Sequence, residues 1–384
     1  MKNKSEFNGE RLKIARIYRG MAVAELAEKL DLQRQTVSMY ENNKLRNPEI
    51  PTIIKMSNVL GFPKKFFMER DNIDIKVGST YFRALLTTNK RYRNQQEIKV
   101  DFIAKIFKYL NEYIEFPETN LPNEGFNNPE EAAENLRRLW KLGEKPIDNI
   151  VYLIEQHGIL VNEFESDTND IDAFSQLINI DGIDKYIIGY SKNKSTASRV
   201  HFDIAHELGH ILLHEWSEDI ETLTKDEFKE REAEANAFAS AFLLPKNAFI
   251  SDVGVYADNI AFYIELKKKW KVSISAMIRR SYNLKLIDNM TYSQLMRSMQ
   301  KRGIKKHEPL DDELTTSKPS LLRTAVQMLL RDKVLSAEEF LYELSSQYNF
   351  TLESREIEKL LDLPKDTLKI EIKQPVHYLN IKNK

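Results

Sequence analysis

Apolar residues recur at helical spacing in four short stretches near the start of the chain: Leu12-Ile14-Ala15-Ile17, Leu26-Ala27-Leu30, Val37-Tyr40 and Ile53-Ile54-Met56-Val59-Leu60. Pro48, Pro51 and the Gly61-Phe62-Pro63 step mark turns among them. Residues 1–70 therefore predict a domain of four or five short helices. The stretch Asp71 to Thr80 has no sustained period, which sets a boundary near residue 70. Ile98, Phe102, Ile106, Leu110 and Ile114 then stand four apart and predict a long amphipathic helix over about 89–116, a connector or an interaction surface. Asn128-Pro129-Glu130-Glu131 has the form of a helix start, with a cap, a proline at the first helical position and acids in the first turn. A second helix is expected from Pro146 to Gly158. After it the period shortens. Ile159-Leu160-Val161, Ala173-Phe174-Ser175 and Tyr186-Ile187-Ile188-Gly189-Tyr190 are β-prone runs, with Asp181-Gly182 as a turn, and predict a small antiparallel sheet. Helices resume from about Ser195 to His214 and from Lys229 to Leu244, where Pro245 stops the second. More helix is expected to about Met299. The polar run His307 to Ser320 reads as a linker before a last helical piece. The expected fold class is α+β, mostly α: a helical domain over 1–70, a helical connector over 71–125, a domain with the small sheet over 126–306 and a helical C-terminal extension over 307–384.

Composition narrows the chemistry. In 384 residues, 57 Lys and Arg balance 58 Asp and Glu, so the whole chain is neither a polycation nor an acidic tail. The balance is uneven, however: residues 1–70 hold 14 Lys and Arg against 8 Asp and Glu, a local charge of +6. There is no cysteine, so disulfides, thiolate nucleophiles and cysteine zinc sites are excluded, and a metal would have to use histidine and carboxylate. The start MKNKSEFNGE has no apolar core of the signal-peptide kind. The densest later apolar stretch, Val100 to Leu110, is interrupted by Asp101, Lys105 and Lys108. These features predict a cytoplasmic protein with no membrane partner.

Four of the seven histidines, His201, His206, His210 and His214, lie within fourteen positions. Among them is His206-Glu207-Leu208-Gly209-His210, an HExxH motif in a stretch already read as helix. Residues four apart on a helix share a face, so two imidazoles can converge on one ion while the intervening Glu207 stands beside an open coordination position. Zn2+ suits this pattern: it lowers the pKa of bound water to about 7, and Glu207 would serve as the general base. The third ligand is expected to be a carboxylate from the helix Glu232-Ala233-Glu234-Ala235-Asn236. Glu232 is preferred because Asn236, one turn on, could hold a metal-bound histidine from outside, and Glu234 remains the alternative. The neighbouring alanines allow the two helices to approach closely. His214, one further turn along, is read as an outer partner of the ligands. His201 lies off that face, and His157, His307 and His377 are read as solvated. Tyr186, Tyr190 and His214 are the candidates for an oxyanion donor.

Residues 21–44 read as two short helices joined by a tight turn. Leu26, Ala27 and Leu30 would pack against Val37 and Tyr40, leaving Gln33, Arg34, Gln35, Ser38 and Met39 outward. Arg34 and Gln35 are the best candidates for base edges, and Lys44 and Arg46 for phosphates of double-stranded DNA.

Both regions carry a family resemblance. Residues 21–44 look like an XRE/Cro-type helix-turn-helix, departing from it at Ala22-Val23, at Asp31 and at Asn43, the last two standing where glycine is usual. RVHFDIAHELGHILLH at 199–214, followed by EREAEANAFASAFLLP at 230–245, resembles the ImmA/IrrE family of zinc metallopeptidases. Tyr81-Phe82-Arg83-Ala84-Leu85, Pro146-Ile147-Asp148-Asn149-Ile150, Gly158-Ile159-Leu160-Val161 and Asp172-Ala173-Phe174-Ser175 add to that likeness, which spans roughly residues 80–310. The resemblance implies a gluzincin-like domain with ligands His206, His210 and Glu232 and the base Glu207. It also implies cleavage of helix-turn-helix repressors that switches on mobile-element or stress-response genes. The expected protein is thus a DNA-binding regulator joined to a zinc endopeptidase whose substrate is a repressor or antitoxin. A non-catalytic zinc-containing repressor or antitoxin-like regulator and the toxin of a toxin-antitoxin or phage-defence pair are the alternatives. Domains of the first kind often act as homodimers on paired half-sites, a contact the long helix at 89–116 could supply.

Overall fold

The computed structural model describes residues 6–45, 47–72, 75–82, 90–122, 125–165, 173–194, 196–216 and 223–370. The chain forms two compact units, residues 1–72 together with 325–384, and residues 73–324. The second is therefore inserted, in chain order, into the first.

The first unit opens with α1 (Gly9–Tyr18), α2 (Val23–Leu30), α3 (Arg34–Glu41) and α4 (Ile50–Leu60), closed by a short 3-10 helix at Lys64–Met68. Leu12, Leu26, Val37 and Met56 are fully buried at its centre. The departures from the usual pattern are accommodated locally. Ala22 offers no side-chain cap to α2, but the Glu25 carboxylate accepts from the Ala22 N–H at 2.5 Å. Asp31 and Asn43 take the left-handed conformation at φ 54° and 53°, which short polar residues tolerate at modest cost. A buried ion pair missed in the sequence ties α1 to α3: Arg16 Nε and Nη2 donate to Glu41 Oε1 and Oε2 at 2.5 and 2.9 Å. Removing one member would strand the other charge, so Glu41→Ala is expected to cost this unit about 3 kcal/mol, read as a fall in denaturant midpoint.

The C-terminal helices of this unit complete it. They follow the elements of the second unit in chain order. That unit comprises β1 (Ile75–Phe82), α5 (Lys90–Leu110), α6 (Pro129–Leu139), α7 (Ile150–Gln156), β2 (Leu160–Phe164), β3 (Ala173–Ile180), β4 (Ile183–Ser191), α8 (Ala197–Leu213), α9 (Lys225–Leu243), α10 (Lys246–Val253), α11 (Ile260–Trp270), α12 (Ile274–Asn283) and α13 (Asn289–Lys301). α14 (Leu321–Arg331), which begins in the second unit and ends in the first, α15 (Ala337–Gln347) and α16 (Ser354–Leu360) are the last described helices. Glu356 on α16 accepts from Tyr18 Oη at 2.5 Å and Arg19 Nη2 at 2.8 Å, and the Asn349 carbonyl accepts from Arg11 Nη2 at 3.1 Å. The last part of the expected C-terminal helical extension thus supplies part of the packing around α1.

In the second unit the order of strands is β1-β3-β4-β2. β3 and β4 form the expected hairpin, turning through Asp181 and Gly182 at φ 51° and 86°, the positive angles that the tightest hairpins require. The sheet is nevertheless mixed rather than antiparallel, because β2 runs parallel to β4. With β3 already on one side of β4, β2 takes the other. β1 was not foreseen. Its register on β3 steps between Val77 and Thr80, and that irregularity interrupts the two-residue alternation by which a strand is read. On the long helix α5, Phe102, Ile106 and Leu110 of the apolar stripe are fully buried within the unit, while Ile98 and, just beyond the helix, Ile114 are half-buried.

The helical layer lies on the sheet. Val200, Ile204 and Leu208 of α8, Phe238, Ala239 and Phe242 of α9 and Leu136 of α6 share one core with Ile188 of β4. His157, expected to be solvated, stacks flat on Trp140 with centroids 4.1 Å apart. The expected linker at 307–320 is built into the unit. Glu308 and Asp311 hold the buried Lys267 ammonium at 2.9 and 2.5 Å, and Glu308 Oε2 accepts from the first N–H of α12, that of Ile274, at 2.7 Å. Thr316 Oγ1 meets His201 Nε2 at 3.3 Å.

His201 is wholly buried, and that burial, aided by the Lys271 charge, pushes its pKa down to about 3. The folded unit therefore keeps it neutral while the unfolded chain takes up a proton near pH 6.5. Stability from this group is complete above pH 6.5 and falls as the pH drops toward 3, by about 1.4 kcal/mol per unit. Metal-free protein should lose about 2 kcal/mol between pH 6.5 and 5 that His201→Gln does not lose, as measured by urea midpoints at the two pH values.

Candidate metal centre

Two helices build the site. α8 begins at Thr196, whose hydroxyl caps the Arg199 N–H, and carries Val200, Ile204 and Leu208 into the core, so His206 and His210 face inward. α9 begins with a reciprocal cap between Thr224 and Glu227 and turns Ala235, Phe238 and Phe242 toward α8. They meet at Gly209. A Cβ there would lie 3.1 Å from Ala235 Cα and 3.1 Å from Phe238 Cδ1, tighter than an ordinary contact. This close crossing of backbones carries the Glu232 carboxylate to the two imidazoles.

His206 Nε2 and His210 Nε2 are 3.0 Å apart, His210 Nε2 lies 3.2 Å from Glu232 Oε1, and His206 Nε2 lies 3.5 Å from Glu232 Oε2. Donors held at about 2.0–2.1 Å around a tetrahedral ion would stand about 3.3 Å apart, so the three residues fit a metal such as zinc. Among the described residues they are the one group of three or more such side chains able to hold an ion. Burial by itself would raise the Glu232 pKa, but the hydrogen bonds and charge of His206 and His210 outweigh it and hold the carboxyl at about 2.

The outer contacts follow from tautomers. A lone pair on His210 Nε2 puts the proton on Nδ1, which lies 2.9 Å from His214 Nδ1 and donates to it. His214 then carries its proton on Nε2, 3.1 Å from Glu234 Oε2. Burial lowers His214 to about 4, with the neighbouring His210 adding to the fall and the bond to Glu234 opposing it. Glu234, the alternative ligand, is thus spent on His214. Asn236 does not hold a metal-facing imidazole: its Nδ2 donates back to the Glu232 carbonyl at 2.6 Å, the ordinary return of an amide one helical turn on. Of the oxyanion candidates, Tyr186 packs edge-on against Trp216 at 5.5 Å, Tyr190 is buried on β4, and His214 sits behind His210.

Glu207 is wholly buried, and its Oε2 accepts from Ser175 Oγ of β3 at 2.6 Å. No sequence pattern assigns Ser175 a role. The only sign of it was its place in the Asp172-Ala173-Phe174-Ser175 piece, because a serine inside an apolar strand does not reveal which helix it faces.

On the first unit, Gln33 precedes α3 and Arg34 and Gln35 open it; all three are exposed, as is Lys44. Ser38 and Met39 are half-buried on the same helix. Arg46 lies outside the described residues. Val37 turns into the core as expected, whereas Tyr40 is half-buried and meets Phe7 edge-on at 6.2 Å.

No helix among the described residues is long and apolar enough to cross a membrane. No curated protein matches the chain significantly. Two family models do match parts of it: helix-turn-helix over residues 12–67, and the IrrE N-terminal-like domain of the M78 peptidases over residues 154–282. The chain therefore joins a helix-turn-helix domain of the XRE type to an IrrE/ImmA-like domain of the M78 metallopeptidase family.

Proposed function

We propose that the chain is a DNA-binding regulator whose second unit is a zinc-dependent endopeptidase that cuts a partner protein, a repressor or antitoxin, in a stress, mobile-element or phage-defence switch. The observation that carries this reading is the convergence of His206, His210 and Glu232 within 3.0–3.5 Å, with Glu207 on the same helix as the two imidazoles. Zinc, when bound, would supply a Lewis acid that brings the pKa of water to about 7 and polarises the scissile carbonyl. Glu207 takes the proton of the attacking water and returns it to the departing amide nitrogen. Ser175 holds that carboxylate in place, and the His214–Glu234 pair keeps His210 in the tautomer that offers Nε2.

Arg34 and Gln35 would read base edges in the major groove, with Lys44 and Arg46 on phosphates. Arg34→Ala is expected to weaken binding to a promoter-proximal fragment by about tenfold or more, and binding of the parent should fall steeply with salt. Salt-independent binding would instead give the exposed face of α3 to a protein partner.

The test of the peptidase reading is mass spectrometry of a regulator encoded beside the chain, incubated with zinc-loaded and with chelator-treated protein. A new pair of fragments that needs the ion supports the reading. The rival, a regulator with a purely structural ion, draws on the complete burial of Glu207 and predicts an uncut partner under both conditions.

A further inference from the structure

We propose that β1 occupies the sheet edge on which a peptide substrate docks, so that the chain closes its own site with an internal strand. The proposal rests on the peptidase reading above. β3 is the strand that reaches the candidate base, through the 2.6 Å bond from Ser175 to Glu207. One edge of β3 is taken by β4 in the hairpin. The other edge is filled from upstream of residues 154–282, the segment the family model matches, which contains β2, β3 and β4; only the last residues of β1, Tyr81 and Phe82, fall in the wider likeness of the sequence. β1 comes from upstream and pairs antiparallel along that edge, with Tyr81 opposite Ser175 and Phe82 opposite Phe174.

An extended peptide adds to a sheet edge through main-chain hydrogen bonds and is sorted by its alternate side chains. On β3 such a peptide would take the backbone positions of β1 and pass beside Ser175, hence beside Glu207. His206 and Glu207 are 0% exposed and His210 1%, whereas the Glu232 side chain is 18% exposed, so the ligand set meets solvent on the α9 side alone.

β1 is also built to be exchanged. It is one of the two edge strands of the sheet, and its ladder is interrupted between Val77 and Thr80. Displacing it breaks one irregular ladder, and an incoming peptide restores it. The partner that fits is an extended stretch of polypeptide with its main chain free, such as an interdomain linker, rather than a folded surface. Its apparent affinity is reduced by the fraction of molecules in which β1 is seated.

The chain has no cysteine of its own, so Thr80→Cys with Gln176→Cys, an opposed pair, can lock β1 to β3. The probe is a fluorescein-labelled extended peptide hydroxamate, titrated by anisotropy into full-length zinc-loaded protein. The oxidised double variant should bind about tenfold or more weakly than its reduced form, with reductant restoring the affinity. In the converse variant, Gly78→Pro, a side chain would press on the Leu177 carbonyl, 3.0 Å from the added Cβ, and the strand would lose an N–H; it should bind the probe several-fold more tightly. Equal affinity in oxidised and reduced forms, or no gain for Gly78→Pro, would overturn the proposal while leaving the peptidase reading intact. No binding by any form that still holds its ion would remove the peptidase reading and this role of β1 with it.

Discussion

Glu207→Gln will keep about one metal ion per chain and lower cleavage of the partner protein about a thousandfold. The amide has the shape of the carboxylate and can still accept from Ser175 Oγ, so the site keeps its form. It cannot take up a proton. Loss of a positioned general base costs about 10²–10⁴ in rate, and Glu207 is the one carboxylate carried between the two imidazoles on α8. Because the position is wholly buried, exchanging a charge for a neutral amide should not destabilise the unit. Elemental analysis beside a timed digest checks both halves. Cleavage within tenfold of the parent would remove Glu207 from the role of base.

Glu232→Ala will weaken metal binding by more than about a hundredfold, and Glu234→Ala by about tenfold. The two residues are separated by one position on α9 yet differ in what they touch. Glu232 Oε1 is 3.2 Å from His210 Nε2, whereas Glu234 reaches the site through His214 and only by fixing the tautomer of His210. A direct donor removed from a three-residue set leaves two. An outer partner removed leaves all three less well aimed. Competition with a chromophoric chelator separates the two effects, and a larger loss for Glu234→Ala would exchange their assignments.

The metal pattern was legible because helical spacing alone brings His206 and His210 to one face, whatever the rest of the fold does. The preference for Glu232 also came from the sequence, but the reason offered for it did not hold: Asn236 turns back to its own helix, and the outer support comes from His214 and Glu234. Contacts between distant segments were not legible. Ser175 reaches Glu207 across 32 positions and Arg16 reaches Glu41 across 25, and neither residue type advertises its partner. β1 escaped because a bulge hides alternation, and the mixed sheet because a sequence pattern shows which runs are strands but not the direction in which a third strand joins a hairpin. The polar run at 307–320 looked like a linker because Glu308 and Asp311 resemble solvated acids until Lys267 is placed between them.

The first unit takes segments from both sides of an inserted domain, and this sets an order for its assembly on the ribosome. The contacts of Tyr18 and Arg19 with Glu356 span 338 and 337 positions, so they cannot form until nearly the entire polypeptide has been translated. At about 5–20 residues per second, helices made in the first seconds wait roughly a quarter of a minute to a minute for their last neighbours, while the peptidase-family segment emerges in between. A nascent or prematurely terminated chain would carry that segment in full but an unfinished DNA-binding unit.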